Sequence, residues 1–106
     1  MAHQHHNLSV TVCIHWKPVA EGGKKTLPQN GIYYVITEPS HHASALPCSW
    51  SLVIQIFQSD DNTQHTRLSL AEAHFLMDHA PHTLLTTGFL VNIYEGPHLV
   101  GYVEVL

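Results

Sequence analysis

The stretch TGFLVNIYEGPHLVGYVEVL, residues 87–106, decides the fold class. Two apolar runs of alternating residues flank one short polar break. Gly96 in that break can take the positive φ that a tight reversal needs. The pattern predicts a closing β-hairpin with strands at Phe89–Tyr94 and Leu99–Leu106 and a turn at Glu95–His98.

Alternation of apolar and polar residues predicts the other strands as well. The clearest is Asn7–Trp16, with one apolar face made of Leu8, Val10, Val12, Ile14 and Trp16. Further strands are predicted at Ile32–Thr37 and Cys48–Gln58, where β-branched and aromatic residues dominate. Turn-forming residues predict the connections Lys17–Gly31, Glu38–Pro47, Ser59–Gln64 and Asp78–Thr86.

Residues Thr66–Met77 (TRLSLAEAHFLM) fit two structures. Ser69 as an N-cap with Glu72 three residues later would begin an amphipathic helix. Alternatively, the apolar residues alternate with one parity up to Leu70 and with the opposite parity from Ala71, which is what a β-bulge produces. We favour one or two strands with a bulge or bend near Leu70–Ala71, and a helix is the alternative.

Length and composition fit one small domain. The chain has 106 residues, of which 44% are hydrophobic, enough for a single core. Residues 1–6 (MAHQHH) are polar and His-rich, and we expect a disordered or tag-derived leader there, followed by one domain at 7–106. About six strands in this length favour an all-β barrel or sandwich, since both bury one face of every strand.

Charge and cysteine content narrow the function classes. Four basic and eight acidic side chains give a net charge of −4 with neutral histidines. RNA binding draws affinity from neutralised phosphates, so this balance disfavours a nucleic-acid partner. No apolar run approaches the roughly 20 residues of a membrane span, and no secretory signal is visible. We expect a cytoplasmic protein, no membrane contact, and free thiols at Cys13 and Cys48.

Three stretches of the sequence resemble a known family. Residues 21–28, EGGKKTLP, follow the first predicted strand and resemble the Glu-Gly-Gly-Arg-His-Thr-Pro loop in the third, C-terminal domain of bacterial elongation factor Tu. Residues 88–101, GFLVNIYEGPHLVG, resemble that domain's final hairpin, Gly-Leu-Arg-Phe-Ala-Ile-Arg-Glu-Gly-Gly-Arg-Thr-Val-Gly. Between them, HFL at 74–76 leading into AP at 80–81 resembles the family's penultimate strand and Pro-Ile-Ala turn. The resemblance implies a closed six-stranded Greek-key barrel.

The resemblance also bears on function. The family's GTPase activity belongs to another domain, and this chain has no Gly-x-x-x-x-Gly-Lys-[Ser/Thr] loop. In the family, the barrel contacts the T-stem of aminoacyl-tRNA and protein partners. Glu95 and Gly96 match positions that lie against the tRNA backbone, whereas Tyr94 and His98 replace arginines and so remove phosphate-binding charge. We expect a non-enzymatic module that binds a protein partner. A tRNA contact is the alternative, and a small hydrolase or metal-binding protein is a minor one.

The predicted partner surface joins the first long loop to the last turn. The loop carries three of the four permanent cations, which an acidic protein surface could meet. A solvated loop without a partner is the simpler alternative. The predicted partner-binding residues are Lys17, Lys24, Lys25, Thr26, Tyr94, Glu95, Gly96 and His98.

Two other constellations are weak. The histidines that could assemble a metal site match no standard zinc spacing; they are His3, His5, His6, His41, His42, His79 and His82. A nucleophile, base and orienter drawn from Cys48, His41 or His42, and Asp60 or Asp61 is supported by residue type alone. We therefore predict no metal site, no cofactor and no catalytic set.

Overall fold

The computed structural model describes residues 9–39, 48–62 and 66–106. Within them, six antiparallel strands close into a barrel in the order β1-β4-β3-β2-β5-β6. The strands are β1 Val10–Trp16, β2 Gly31–Thr37, β3 Ser51–Asn62, β4 Thr66–Phe75, β5 Leu90–Glu95 and β6 His98–Val105, and single 3₁₀ turns lie at Val19–Glu21 and His82–Leu84. The predicted all-β, closed six-stranded barrel is confirmed.

The strand order places the connections in two groups. β2, β3 and β4 are successive neighbours, and β1 closes beside β4, which is a Greek-key order. Because neighbouring strands run in opposite directions, residues 17–30 between β1 and β2 emerge at the same barrel end as the β5–β6 turn. We call these two segments, residues 17–30 and 95–98, the rim.

Inward-facing residues of all six strands fill the barrel. The predicted apolar face of the first strand is confirmed at Val12, Ile14 and Trp16, which are buried, and that of the fifth at Val91 and Ile93. The largest fully buried apolar side chains are Phe75, Ile14, Leu52, Ile54, Ile56, Ile93, Val12 and Val103. Burying an aliphatic or aromatic side chain of this kind contributes about 1.5–3 kcal/mol relative to exposure, so this cylinder is the main source of stability.

The ambiguous segment Thr66–Met77 contains a strand, so the helix alternative is wrong. The predicted bulge lies on the neighbouring strand instead. Register shifts between Ile56 and Gln58 of β3, opposite Ala71 and Leu70 of β4, which leaves Phe57 as the extra residue. β4 keeps one parity throughout. The sequence suggests a change of parity only because the inward residues Arg67 and Ser69 are polar.

The predicted turn at Ser59–Gln64 is also wrong in its first half. Residues Ser59–Asn62 continue β3 and pair with β4 as far as Asn62↔Thr66. At this end of the barrel Ser59 bonds to the Pro28 carbonyl of the first loop and Asp61 accepts from Arg67. β3 begins at Ser51, three residues after its predicted start at Cys48. Residues 40–47 of the predicted loop Glu38–Pro47, and residues 63–65, lie outside the described residues.

Gly101 marks the closest approach between β1 and β6. It pairs with Trp16, and a Cβ atom at position 101 would lie 2.3 Å from the His15 carbonyl oxygen and 3.0 Å from the Trp16 Cα. Both are backbone atoms, which cannot move aside without separating the strands. Glycine is therefore required for closure at this seam.

We predict that Gly101→Ala lowers the free energy of unfolding by at least about 2 kcal/mol, because the added methyl group forces β1 and β6 apart. Urea unfolding followed by circular dichroism measures the change. Gly96→Asn is the control: Gly96 has a φ of +59° with open space around its Cβ direction, a conformation that asparagine tolerates. Equal destabilisation by both substitutions would contradict the prediction.

Candidate functional site

One ion pair joins the two segments of the rim. Lys24 Nζ donates to Glu95 Oε2 at 2.7 Å. The same Nζ lies 5.6 Å from the centroid of the Tyr33 ring, within range of a cation–π interaction. Two of the predicted partner-binding residues are thus in direct contact, and their charges neutralise each other.

Arg67 on β4 fixes the first half of the loop. Its side chain is buried, and Nε donates to Asp61 Oδ1 at 3.1 Å. Nη1 donates to the Lys17 carbonyl at 2.7 Å and Nη2 donates to the Lys24 carbonyl. The planar guanidinium therefore spans the loop between those two carbonyls, a geometry that a single ammonium cannot supply.

A chain of hydroxyl groups fixes the second half of the loop. Trp16 Nε1 donates to Ser69 Oγ at 2.7 Å, and Ser69 Oγ lies 2.5 Å from Ser59 Oγ. Ser59 Oγ donates to the Pro28 carbonyl. Since the Ser59 proton is committed to Pro28, Ser69 must be the donor between the two serines. The indole N–H and both serine hydroxyl groups of this hydrogen-bonded series therefore have acceptors, and Leu27 beside it is buried.

The Glu21-Gly22-Gly23 motif has a structural role in this loop. Gly22 ends the 3₁₀ turn with a φ of +96° and donates to the Val19 carbonyl at 3.0 Å. Gly23 donates to the Pro18 carbonyl at 2.9 Å. A Cβ at position 23 would lie 1.9 Å from the Lys17 carbonyl oxygen. The two glycines let the loop fold back on its own backbone beneath Arg67.

The other predicted partner-binding residues also belong to the rim or border it. Lys25, Thr26, Gly96 and His98 are exposed, and Lys17 and Tyr94 are partly buried. The first rim segment is held by Arg67, Asp61, Ser59 and Ser69, and sequence reasoning missed that role. The available signal was the shared parity of Arg67 and Ser69 on β4, which places both on the inward face.

An apolar groove borders the rim. It is open, has a volume of about 470 Å³, and is lined by Tyr34, Val35, Ile36, Ser51, Leu76, Tyr94, Glu95 and Gly96. Tyr34 is 62% exposed, and its neighbours in the outward row of β2 are also exposed and apolar. The outward row was visible in the sequence, since Ile32, Tyr34 and Ile36 of β2 are all apolar or aromatic.

The described residues of the two weak constellations do not form a cluster. Cys48 precedes β3, whereas Asp60 and Asp61 lie near its other end, so the thiol and the carboxylates considered together are not adjacent. Five of the histidines, His3, His5, His6, His41 and His42, lie outside the described residues. Among residues 9–39, 48–62 and 66–106, no three His, Cys, Asp or Glu side chains are grouped as metal ligands. That part of the chain also contains no helix with the length and apolarity to cross a membrane.

A second polar cluster lies on the outward face of β1 and β6. His15 Nε2 lies 2.8 Å from Glu104 Oε1, and the His15 ring stacks on Tyr102 with centroids 4.5 Å apart. Burial and, to a smaller extent, the Glu104 carboxylate raise the pKa of the Cys13 thiol above its ordinary value. A raised pKa lowers the thiolate fraction, so this environment does not activate Cys13 as a nucleophile.

Comparison with protein-family models, curated proteins and solved structures gives no match to this chain. The likeness to elongation factor Tu therefore depends on the sequence motifs alone.

We predict that Arg67→Met lowers the free energy of unfolding by about 2 kcal/mol or more, because it leaves one carboxylate and two carbonyls without their donor. Urea unfolding measures the loss, and trypsin cleavage after Lys24 should accelerate as the loop detaches. Arg67→Lys should recover only part of the stability and of the resistance to trypsin, since an ammonium lacks the forked donors of a guanidinium. Lys25→Met, at an exposed position, is the control and should change stability by less than about 0.5 kcal/mol. Unchanged stability and cleavage in Arg67→Met would refute this role.

We predict that Cys13 reacts with iodoacetamide several-fold more slowly than free cysteine at about pH 8.5, near the ordinary pKa of a thiol. The measurement uses a Cys48→Ser background and mass spectrometry. Glu104→Gln should accelerate the reaction because it removes the second cause of the raised pKa, and unfolding in urea should abolish the difference. A folded-state rate equal to that of free cysteine would show that the thiol is not perturbed.

Proposed function

We propose that this chain is a non-enzymatic binding module that holds a protein partner on its rim. The observation that carries the proposal is the attachment of the rim to the barrel. Two segments distant in sequence are joined by Lys24 and Glu95, and Arg67 ties the longer one to β4. A surface whose backbone is ordered before binding loses less conformational entropy on association.

The charges of the rim favour a protein over RNA. Of the four permanent cations in the sequence, Arg67 is buried and bonded to Asp61, and Lys24 is paired with Glu95. Lys17 and Lys25 remain for an external anion. Each neutralised phosphate contributes about −0.7 to −0.9 to the slope of log K against log salt, so two cations support only weak binding with a shallow salt dependence.

We further propose that this chain is related to a translation-factor domain and that it is located in the cytoplasm. A relationship to the third domain of elongation factor Tu is supported by the placement of its two motifs: Glu21-Gly22-Gly23 follows β1, and Glu95-Gly96 enters the β5–β6 turn on the same rim. A cytoplasmic location is supported by the free thiols of Cys13 and Cys48, since disulfides are rare in that reducing compartment.

Site-specific photocrosslinking tests the binding proposal. A benzophenone side chain replaces Thr26 or His98, both exposed on the rim, and Glu72, exposed on β4, is the matched control position. We expect a discrete protein adduct from native lysate at the two rim positions and none at position 72. Adducts at all three positions, or none at the rim, would refute the proposal. Adducts lost after nuclease treatment, with binding that weakens as salt rises, would favour the tRNA alternative.

A further inference from the structure

β2 is paired fully on one side only. Against β3 its register runs from Gly31↔Ile56 to Ile36↔Ser51. Against β5 it has only the pairs Ile36↔Tyr94 and Thr37↔Ile93. The barrel is therefore closed along the last residues of β2, whereas Gly31–Val35 has an edge that β5 does not cover.

The hydrogen bonds at the end of β2 identify the open backbone groups. Thr37 N–H donates to Trp50 on the β3 side, and Glu38 N–H donates to Asn92 on the β5 side. Successive residues of a strand alternate between its two sides, so Ile32 and Tyr34 point their N–H and C=O groups away from β3. Within the described part of the chain these groups make no hydrogen bond. We call the backbone groups of Ile32 and Tyr34 the β2 edge.

The side chains at the β2 edge leave it unprotected. Ile32 is 55% exposed and Tyr34 is 62% exposed. β2 reads GIYYVIT and has no charged residue and no proline, the devices that commonly prevent edge strands from pairing. The apolar groove is lined by Tyr34, Val35 and Ile36 of β2 and by Tyr94, Glu95 and Gly96, so it adjoins the exposed face of the same strand.

We propose that the β2 edge pairs with the β2 edge of a second copy of this chain. The two open residues are separated by one residue, so the edge is self-complementary. In antiparallel pairing about a two-fold axis at Tyr33, Ile32 of each copy lies opposite Tyr34 of the other. All four open N–H groups then donate to the four open carbonyls.

Side-chain chemistry selects a second copy as the occupant. The pairing sets a β-branched side chain beside an aromatic one at both positions, a favourable cross-strand combination. No like charges meet, because β2 has none. This association goes beyond the proposed binding function: it uses β2 and leaves the exposed rim residues Lys25, Thr26 and His98 free.

Amide hydrogen exchange measured by NMR tests the pairing directly. In dilute protein the amides of Ile32 and Tyr34 should exchange quickly, while those of Tyr33 and Val35, which face β3, stay protected. At high concentration Ile32 and Tyr34 should gain protection, and sedimentation should show a monomer–dimer equilibrium. A monomer at every concentration, with both edge amides unprotected, would overturn the proposal.

Substitutions separate strand pairing from a general apolar contact. Tyr34→Lys and Ile32→Lys place charge at the edge and should weaken dimerisation at least tenfold. Leu90→Lys is the control, because Leu90 on β5 is 57% exposed and similarly apolar. Ile32→Pro removes one outward N–H without touching the bonds to β3 and should weaken dimerisation more than Ile32→Ala, which keeps that N–H.

Other outcomes count against the proposal. A dimer that survives Tyr34→Lys, or one weakened equally by Leu90→Lys, is held by another surface. Protection of Ile32 and Tyr34 that requires a different protein shows that the edge receives a foreign strand. Crosslinking at Thr26 and His98 tests the rim proposal independently. A protein that proves monomeric would therefore refute the β2 pairing without refuting partner binding at the rim.

Discussion

The hydrogen bonds of the Arg67 guanidinium are the constraint on which the open end of this barrel depends. A buried cation is costly unless its donors are matched, and here a carboxylate and two loop carbonyls match them. The loop between Lys17 and Lys24 is therefore fixed relative to β4. The β5–β6 hairpin positions the second rim segment independently, and the Lys24–Glu95 ion pair joins the two segments. The conformation of the longer rim segment thus depends on one inward-facing charge.

The fold was predictable from the sequence where inward residues are apolar. In β1 and β5, alternation alone identified the buried face, and the hairpin turn at Gly96 has the positive φ that its residue type suggested. Prediction failed where inward residues are polar. Because Arg67 and Ser69 occupy core-facing positions of β4, the outward Leu68 and Leu70 were assigned inward, and an apparent parity change placed the bulge on the wrong strand. The same polar end of the barrel made Ser59–Asn62 resemble a turn.

The sequence was sufficient to predict which residues belong to the candidate site, but not which of them contact each other. Composition marked the loop cations and the last turn, yet Lys24 and Glu95 are 71 residues apart, and no local pattern shows that they neutralise each other. The open half of β2 could not be predicted either. Its continuous apolar run is also typical of a strand covered on both faces. Which residues lack a neighbour depends on the register between β2 and β5, and that register is set by the closed barrel.

The hydroxyl chain from Trp16 to Pro28 gives the molecule an internal optical reporter. The indole N–H of Trp16 is bonded to Ser69, whose proton goes to Ser59 and then to the loop backbone. Lifting the loop from the barrel would break the far link, free the serines to reorient, and change the polarity around the indole. Among the described residues, the indole nitrogen of Trp50 is buried without a partner, near the start of β3. The two tryptophans therefore lie at opposite ends of the barrel. Of the two, only the fluorescence of Trp16 should change when the loop detaches.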